Sequence, residues 1–273
     1  MSLPEPLARA LGAESVERVS GGCIHACYRT RIRGQACFLK VNDPLFAKAL
    51  AAEADGLDAL RRAGTRAPEP VQHGVAGGKA YLVLEYLDLD DQGDFAALGV
   101  MLAATHRASN ARFGWHADNY IGTTLQPNGW RDDWSRFWRE QRLRPQLELA
   151  RGNGYRLDAE PVLELLEDHR PQPALVHGDL WRGNVGFASA GPVLFDPAVY
   201  FGDREVDLAM SELFGGFPPE FYSAYREAFP LEPGYESRKA LYNLYHLLNH
   251  LNLFGAGYLA QVQATLRLLL DAL

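Results

Sequence analysis

Hydrophobic and polar positions change their spacing once along the chain, close to residue 88. Before that point, β-branched and aromatic residues stand in short runs separated by turn-forming residues, a pattern typical of strands. These runs predict strands at residues 16–20, 27–32, 36–41, 71–73 and 81–86. Helices are predicted at residues 4–12 and, in an alanine-rich stretch, at residues 46–63. The first part of the chain is therefore expected to be mostly sheet.

After an acidic connector at residues 88–93, apolar residues recur at helical spacing. This spacing predicts helices at residues 94–109, 132–150, 159–169, 205–214, 220–229, 236–254 and 258–272. The exception is the segment 175–195, which we interpret as a strand, a loop and a hairpin. The chain is therefore expected to form two units, a β-rich lobe of residues 1–87 and a larger helical lobe of residues 88–273.

Composition narrows the class of protein. Of the 273 residues, 47% are hydrophobic, which is enough for a sizeable core, and the formal net charge of -7 argues against a general nucleic-acid binder. The N-terminus lacks the pattern of a signal peptide, and no apolar run approaches the length of a membrane span. The three cysteines are an odd number, which fits a reducing compartment. We expect a cytoplasmic protein that binds neither nucleic acid nor membrane.

The candidate chemistry lies in the segment from His177 to Asn184. Phosphoryl transfer needs an acceptor for a hydroxyl proton and oxygen ligands for Mg²⁺. The carboxylate of Asp179, the carboxamide of Asn184 five residues later, and Asp196 after a short hairpin supply these groups. Taken singly, Asp179 and Asn184 are more simply interpreted as turn residues. The full pattern between apolar strands instead predicts an ATP-dependent kinase that uses Mg²⁺.

Upstream residues stand in the order that such a site requires. Lys40 ends a predicted strand and can reach ATP phosphates, and Glu53 on the next helix can hold Lys40 extended. In isolation, a solvated surface ion pair is the more natural interpretation of these two residues. The loop before that strand contains Gly21 and Gly22, which would let backbone N–H groups approach a phosphate.

These motifs make the sequence resemble the fructosamine kinase (ketosamine-3-kinase) family, which shares its fold with aminoglycoside phosphotransferases. The strongest matches are His177-Gly178-Asp179-Leu180-Trp181-x-Gly183-Asn184 and Asp196-Pro197-Ala198-x-Tyr200-x-Gly202. Together the matching segments are residues 21–24, 38–42, 53–57, 84–87, 119–122, 128–134, 141–143, 177–184, 196–202 and 244–255. The resemblance therefore extends over nearly the whole chain.

The resemblance implies an α+β, bilobal protein-kinase-like fold with a small β-rich N-lobe and a larger helical C-lobe. It implies ATP-dependent phosphorylation of the C3 hydroxyl of a ketoamine, the sugar adduct of an amine or a protein lysine, followed by deglycation. Asp179 would be the catalytic residue, and Trp181 would lie nearest the substrate. Metal binding would fall to Asn184 and Asp196, with His177 and Asp207 as structural support. The residues implied in nucleotide binding are Gly21, Gly22, Cys23, Lys40, Glu53, Glu85, Tyr86 and Leu87.

Other interpretations stay open at this point. An aminoglycoside- or choline-type kinase would share the same phosphoryl-transfer residues, and a non-catalytic nucleotide-binding module would share the fold. Cys23 is either a small residue that fits a tight loop or a redox-sensitive thiol, so the chain is expected to be a monomer or a redox-linked dimer. The preferred adduct is left open between fructosamine, ribulosamine and erythrulosamine.

Overall fold

A five-stranded antiparallel sheet occupies the first part of the chain in a computed structural model that describes residues 2–19 and 24–272. Its strands are β1 (Ala13–Val19), β2 (Ala26–Ile32), β3 (Gln35–Asn42), β4 (Pro70–Ala76) and β5 (Lys79–Glu85). The spatial order is β1-β2-β3-β5-β4, so β3 lies in the middle of the sheet. All five predicted strands are confirmed, although β1 begins three residues earlier than the sequence pattern indicated.

Two helices, α1 (Glu5–Leu11) and α2 (Ala47–Arg62), cover opposite faces of this sheet. Successive side chains of a strand point to opposite faces. Leu39 and Val41 of β3 therefore pack in a cluster with Leu7 of α1, whereas Lys40 between them points toward α2. The alternation along one buried strand thus places a lysine against the helix that carries Glu53.

The second part of the chain is mostly helical. Its helices are α3 (Phe95–Thr105), α4 (Trp134–Trp138), α5 (Arg144–Gly152), α6 (Glu205–Leu213), α7 (Pro219–Ala228), α8 (Tyr235–Phe254) and α9 (Leu259–Leu270). The long helix α8 contacts α5, α6 and α9, and its residues Leu244 and Leu248 are fully buried. Within residues 2–19 and 24–272, no helix is both long and apolar enough to cross a membrane.

Three pairs of short strands complete the fold. They are β6 (Asn119–Ile121) with β7 (Thr124–Gln126), β8 (Ala174–Val176) with β11 (Tyr200–Gly202), and β9 (Val185–Ala188) with β10 (Gly191–Leu194). The hairpin β9–β10 was predicted. The hairpin β6–β7 and strand β11 were not, because runs of three residues are too short to show an alternating pattern.

The helix predicted at residues 159–169 is wrong. The structure has only a 3₁₀ turn at Pro161–Glu164, followed by further turns. Its backbone bonds join residues three apart, as from Leu163 N to Glu160 O (3.2 Å). Pro161 supplies no N–H, and so short a segment gains little from helical bonds. Burial of Val162, Leu163 and Leu166 nevertheless fixes the segment on the core, which explains the apolar spacing.

The helix predicted at residues 132–150 is interrupted. It begins after Asp133, whose side chain accepts a hydrogen bond from Arg136 N (2.9 Å), and a π-helical turn at Arg139–Leu143 separates α4 from α5. Pro145 has no N–H to donate to the carbonyl of Gln141, four residues earlier. The Nη1 of Arg142 donates to that carbonyl instead (2.9 Å). The proline thus explains why the helix changes from α-helical to π-helical hydrogen bonding between α4 and α5.

The connector between sheet and helices is attached to the hairpin β9–β10. Asp90 and Phe187 exchange two backbone hydrogen bonds, each of 2.9 Å. A Cβ built at Gly93 would lie 2.2 Å from the ring of Phe187, so only glycine fits there. The connector therefore has a fixed position relative to the loop that precedes β9.

Candidate active site

The segment from His177 to Asn184 forms a loop between β8 and β9. Asn184 closes it by donating Nδ2 to the backbone carbonyl of Asp179 (2.8 Å) and to Asp179 Oδ2 (3.3 Å). Gly178 has φ of +81°, and a Cβ there would lie 2.1 Å from the carbonyl oxygen of Ala198. Close backbone contact therefore requires glycine beside Asp179.

Asp207, in the first turn of α6, supports this loop from behind. Its carboxylate accepts hydrogen bonds from His177 N (2.7 Å) and Gly178 N (2.9 Å). Burial by itself would raise the pKa of Asp207, but the bond from His106 and those from the backbone hold that pKa below its ordinary value. The carboxylate thus stays charged and fixes two consecutive amides of the loop.

His106 at the end of α3 extends this support and was not found from the sequence. Its Nε2 lies 3.0 Å from Asp207 Oδ2, and its Nδ1 lies 2.8 Å from the hydroxyl of Tyr225. That hydroxyl also accepts a bond from Arg204 Nη1 (3.1 Å), so its own proton is directed to His106. His106 therefore donates from Nε2 to Asp207. A lone histidine with no motif around it gives no signal in the sequence.

His177 joins the loop to the segment that carries Asp196. Its Nε2 donates to the carbonyl of Phe195 (3.0 Å), and its Nδ1 accepts from the amide of Asp179 (3.3 Å). Burial lowers the pKa of His177, consistent with a neutral ring that uses one nitrogen as donor and the other as acceptor. The expected supporting role of His177 thus has a geometric basis.

The two carboxylates of the site, Asp179 and Asp196, influence one another. Burial raises the pKa of Asp179 to about 7, and the negative charge of Asp196 acts in the same direction. Asp196 itself adopts φ of +57°, a conformation that few residues other than glycine take, and its side chain is 46% exposed. The site therefore presents one carboxyl group that titrates near neutral pH and one that is partly exposed.

Lys40 bridges the two parts of the chain. Its Nζ lies 2.6 Å from Glu53 Oε1 and 2.5 Å from Asp196 Oδ1, and its side chain is only 6% exposed. Burial would lower the pKa of Lys40, but Asp196 and Glu53 outweigh burial and raise that pKa above its ordinary value. The alternative of a solvated surface pair is therefore wrong, because this ion pair is buried.

The predicted nucleotide residues Glu85, Tyr86 and Leu87 lie at the end of β5. Glu85 pairs with Cys37 of β3, so this end of β5 lies beside the strand that carries Lys40. The amide of Glu85 donates to Glu69 O (2.8 Å), and the guanidinium of Arg29 lies 4.5 Å from the ring centroid of Tyr86. Glu85 thus lies on the strand next to β3, beside a residue three positions before Lys40.

Trp181 lies on the loop two residues after Asp179, with 37% of its surface exposed. A Cβ at Gly183 would lie 2.4 Å from its indole ring, so the ring rests against the glycine backbone. Of the remaining predicted site residues, Gly21, Gly22 and Cys23 lie outside the described residues. Their neighbour His25 accepts a bond from Asn42 Nδ2 at its Nδ1 (2.9 Å), and burial lowers its pKa to about 4.

The fold and the convergence of Lys40, Glu53, Asp179, Asn184 and Asp196 define an α+β, bilobal protein-kinase-like enzyme, an ATP-dependent phosphotransferase. A family model described as "Fructosamine kinase" matches residues 3–272. The chain belongs to the fructosamine kinase family.

Individual relatives agree with this assignment. The chain is 49% identical over 259 residues to a "Probable ketoamine kinase" of Synechocystis sp., with 91% of this chain and 88% of the relative covered. A "Probable ketoamine kinase" of Vibrio cholerae is 42% identical over 279 residues, covering 98% and 97% of the two chains. Both alignments extend over nearly the full length of each protein.

Solved structures show the same fold. The "Putative fructosamine-3-kinase" of Thermobifida fusca superposes with a TM-score of 0.86 at 33% identity, covering 98% of this chain and 99% of that one. The aminoglycoside phosphotransferase APH(4)-Ia, in a ternary complex with ADP and hygromycin B, gives a TM-score of 0.64 at 16% identity, covering 97% and 96%. This second likeness concerns the fold alone.

Proposed function

We propose that this kinase transfers the γ-phosphoryl group of ATP to the C3 hydroxyl of ketoamine adducts, carried by free amines or by the lysines of glycated proteins. The convergence of Lys40, Asp179, Asn184 and Asp196 in a member of this family carries the proposal. The names of the relatives from Synechocystis and Vibrio cholerae specify ketoamines. Phosphate at C3 would be eliminated with release of the amine, so the reaction leads to deglycation.

Asp179 acts as the proton acceptor in this proposal. The C3 oxygen bonds to the γ-phosphorus, its proton passes to Asp179, and the bond from phosphorus to the β–γ bridging oxygen breaks. ADP departs with the electron pair of that bond. A carboxyl group whose pKa is raised to about 7 suits this role, because it is partly ionised and still basic near neutral pH.

Asn184 and Asp196 are proposed to hold Mg²⁺. Both hydrogen bonds of the Asn184 side chain use Nδ2, which leaves its Oδ1 available to a metal ion. The carboxylate of Asp196 is partly exposed, and Mg²⁺ prefers such oxygen ligands. The residues present therefore fit the ion, which would neutralise charge on the nucleotide phosphates.

The nucleotide and the sugar are proposed to bind on either side of this centre. Lys40, held by Glu53, contacts the phosphates, and the backbone of residues 85–87 faces the adenine. The loop with Gly21, Gly22 and Cys23 is proposed to donate backbone amides to the phosphates. Trp181, partly exposed beside Asp179, packs against the sugar.

The substitution Asp179→Asn tests the catalytic assignment. Transfer from ATP to ribulosamine, erythrulosamine and fructosamine should fall at least about a hundredfold, because proton acceptance is lost. The matched control is Asp168→Asn, which removes an exposed carboxylate of the same lobe and should leave the rates unchanged. Unchanged turnover in Asp179→Asn would show that another group accepts the proton.

The same assay separates the acceptor classes. We expect wild-type enzyme to phosphorylate ketoamines faster than aminoglycosides or choline, measured as kcat/KM for each acceptor. Preferred transfer to an aminoglycoside or to choline would replace the proposed substrate. Binding of ATP without transfer to any acceptor would indicate a nucleotide-binding regulatory module.

A further inference from the structure

The segment around Asp196 is fixed on its upstream side by the catalytic loop. Phe195 N donates to Asn184 O (3.1 Å), and Phe195 O accepts from His177 Nε2 (3.0 Å). Just downstream, Ala198 N donates to His177 O (2.8 Å). The positive φ of Asp196 between these contacts persists only where the surroundings determine the backbone. The downstream side therefore needs further contacts.

The hairpin β6–β7 provides those contacts. Gln126 Nε2 donates to the carbonyl of Ala198 (3.1 Å), and Asn119 Nδ2 donates to the carbonyl of Val199 (2.7 Å). Both amide side chains are buried, so these bonds are shielded from competition with water. Two consecutive carbonyls after the metal aspartate are thus held by side chains of one hairpin.

The direction of each amide is set by a further donor. Asn119 Oδ1 accepts from Gln126 Nε2 (2.7 Å) and from Asn128 Nδ2 (2.9 Å), so only the nitrogen of Asn119 can face Val199. Asn128 Oδ1 in turn accepts from Arg142 Nη2 (2.7 Å). A guanidinium can only donate hydrogen bonds. The chain of donors therefore begins at Arg142 and ends at the carbonyl of Val199.

Arg142 is an unusual origin for such a chain. It is 0% exposed, and no carboxylate within the described part of the chain pairs with it. Its guanidinium instead lies 3.9 Å from the ring centroid of Tyr200, and its Nε has no hydrogen-bond partner there. A buried charge without a counter-charge is unfavourable for folding. A role in stability alone does not account for this arginine.

We propose that Arg142 is the positioning residue for Asp196, acting through Asn128 and Asn119 on the carbonyl of Val199. Its charge fixes the direction of the whole hydrogen-bond chain and keeps the metal-binding aspartate in place before any nucleotide arrives. The inference rests on the proposed role of Asp196 as a Mg²⁺ ligand. Under this proposal, the hairpin β6–β7 takes part in catalysis, although it is far from residue 196 in the sequence.

Substitutions at Asn119 and Arg142 test the inference through the Mg²⁺ dependence of phosphoryl transfer. In Asn119→Asp, an acceptor replaces the donor opposite Val199 O, so the Mg²⁺ concentration for half-maximal rate should rise about tenfold, with a smaller rise in Asn119→Ala. The Mg²⁺ concentration for half-maximal rate should rise as much in Arg142→Met as in Asn119→Asp. Arg142→Lys keeps the charge without the planar fork, so its value should lie between those of Arg142→Met and wild type. The KM for the ketoamine should not change.

Ser211→Ala is the matched control. It removes a buried hydroxyl that bonds Leu208 O (2.7 Å) and Tyr222 OH (3.3 Å), away from the Asp196 segment. It should lower thermal stability without changing the Mg²⁺ dependence. An equal change of Mg²⁺ dependence in Ser211→Ala and Asn119→Asp would reduce the proposed role to general stability and overturn the inference.

Hydrogen exchange at the Ala198 amide provides a readout that needs neither metal nor activity. Without nucleotide or metal, this amide should exchange faster in Asn119→Ala and Arg142→Lys than in wild type. In Ser211→Ala, its exchange rate should be the same as in wild type. Unchanged exchange together with unchanged Mg²⁺ dependence would overturn the inference. Wild-type turnover that needs no divalent cation, with the exchange differences intact, would instead overturn the metal assignment of Asp196.

Discussion

At the scale of single residues, burial and charge determine what Asp179 can do. The carboxyl group is only partly exposed, and Asp196 lies close by with the same charge, so its pKa is raised to about 7. Removing the charge of Asp179 should therefore favour the folded state. In Asp179→Asn, the free energy of unfolding at pH 8 should be higher than in wild type, as measured by urea denaturation. A less stable variant would contradict the direction of this pKa shift.

The pH dependence of the reaction follows from the same shift. Asp179 accepts a proton only in its ionised form, so kcat/KM should fall as the pH decreases below about 7. A cation bound at Asp196 would offset the repulsion and lower the pKa, which places the midpoint at or below 7. Stopped assays between pH 5 and 8 measure this midpoint. A rate that is constant over this range would show that Asp179 does not accept the proton.

At the scale of elements, α2 is attached to the helical part of the chain. Asp55 Oδ2 accepts a hydrogen bond from Trp115 Nε1 (2.8 Å) and lies 3.2 Å from His116 Nε2. One residue later, a Cβ at Gly56 would lie 3.2 Å from the ring of Pro197, next to Asp196. Because Glu53 lies on the same turn of α2, these contacts fix its distance from Lys40 and Asp196.

The contacts of Asp55 can be tested on α2 itself. Asp55→Ala should reduce the free energy of unfolding by about 1 kcal/mol, since a charged acceptor is lost at a partly exposed site. It should also raise the KM for ATP, because Glu53 holds Lys40 less firmly. The control Asp58→Ala removes an exposed carboxylate from the same helix, with an expected change below about 0.5 kcal/mol. Equal effects of both substitutions would exclude a specific role of Asp55.

The close approach of the catalytic loop to Ala198 predicts a strong effect at Gly178. Gly178→Ala places a Cβ against the Ala198 carbonyl and should lower the free energy of unfolding by about 3 kcal/mol or more. Gly154→Ala is a fitting comparison, since Gly154 also has a positive φ (+92°) but has open space at its Cβ position. In Gly154→Ala, backbone strain alone should lower the free energy of unfolding by about 1 kcal/mol. Similar losses would mean that the backbone contact is unimportant.

At the scale of the whole molecule, the ion pair of Lys40 with Asp196 and the contacts of α2 join the sheet to the helices. The division into lobes at residues 1–87 and 88–273 stays a prediction, as does the state of association. A monomer is expected unless Cys23 forms a disulfide with a second copy. Burial raises the pKa of Cys27 and Cys37, so these two thiols are poor candidates for oxidation.

Oxidation decides between the two interpretations of Cys23. If it is redox-sensitive, peroxide should lower ATP turnover of wild type and produce a dimer that reductant dissociates, detected by non-reducing electrophoresis. Cys23→Ser should resist both effects, whereas the control Cys37→Ser should behave as wild type does. Identical peroxide curves for wild type and Cys23→Ser would leave Cys23 as a small residue that fits the loop.

The sequence determined the family and the principal strands, and it supplied the residues proposed to react. The motif from His177 to Asn184, Asp196 and the pair Lys40 and Glu53 stand in an order that few other sites share. Strands β2, β3 and β5 were predictable because their apolar runs are long enough to show a period. The hairpin β6–β7 was not, and Pro145 altered a helix whose apolar spacing had indicated continuity.

Only the tertiary structure decided how these groups are held and charged. The raised pKa of Asp179 depends on burial and on a carboxylate 17 positions away in sequence. His106 supports Asp207, which lies 101 positions later in the sequence. The hydrogen bonds that begin at Arg142 also join residues that are distant in sequence. A single histidine or arginine at these positions does not indicate such a role. Burial and contacts between distant segments arise only when the chain packs, so the residue pattern fixed the chemistry and the packing fixed its geometry.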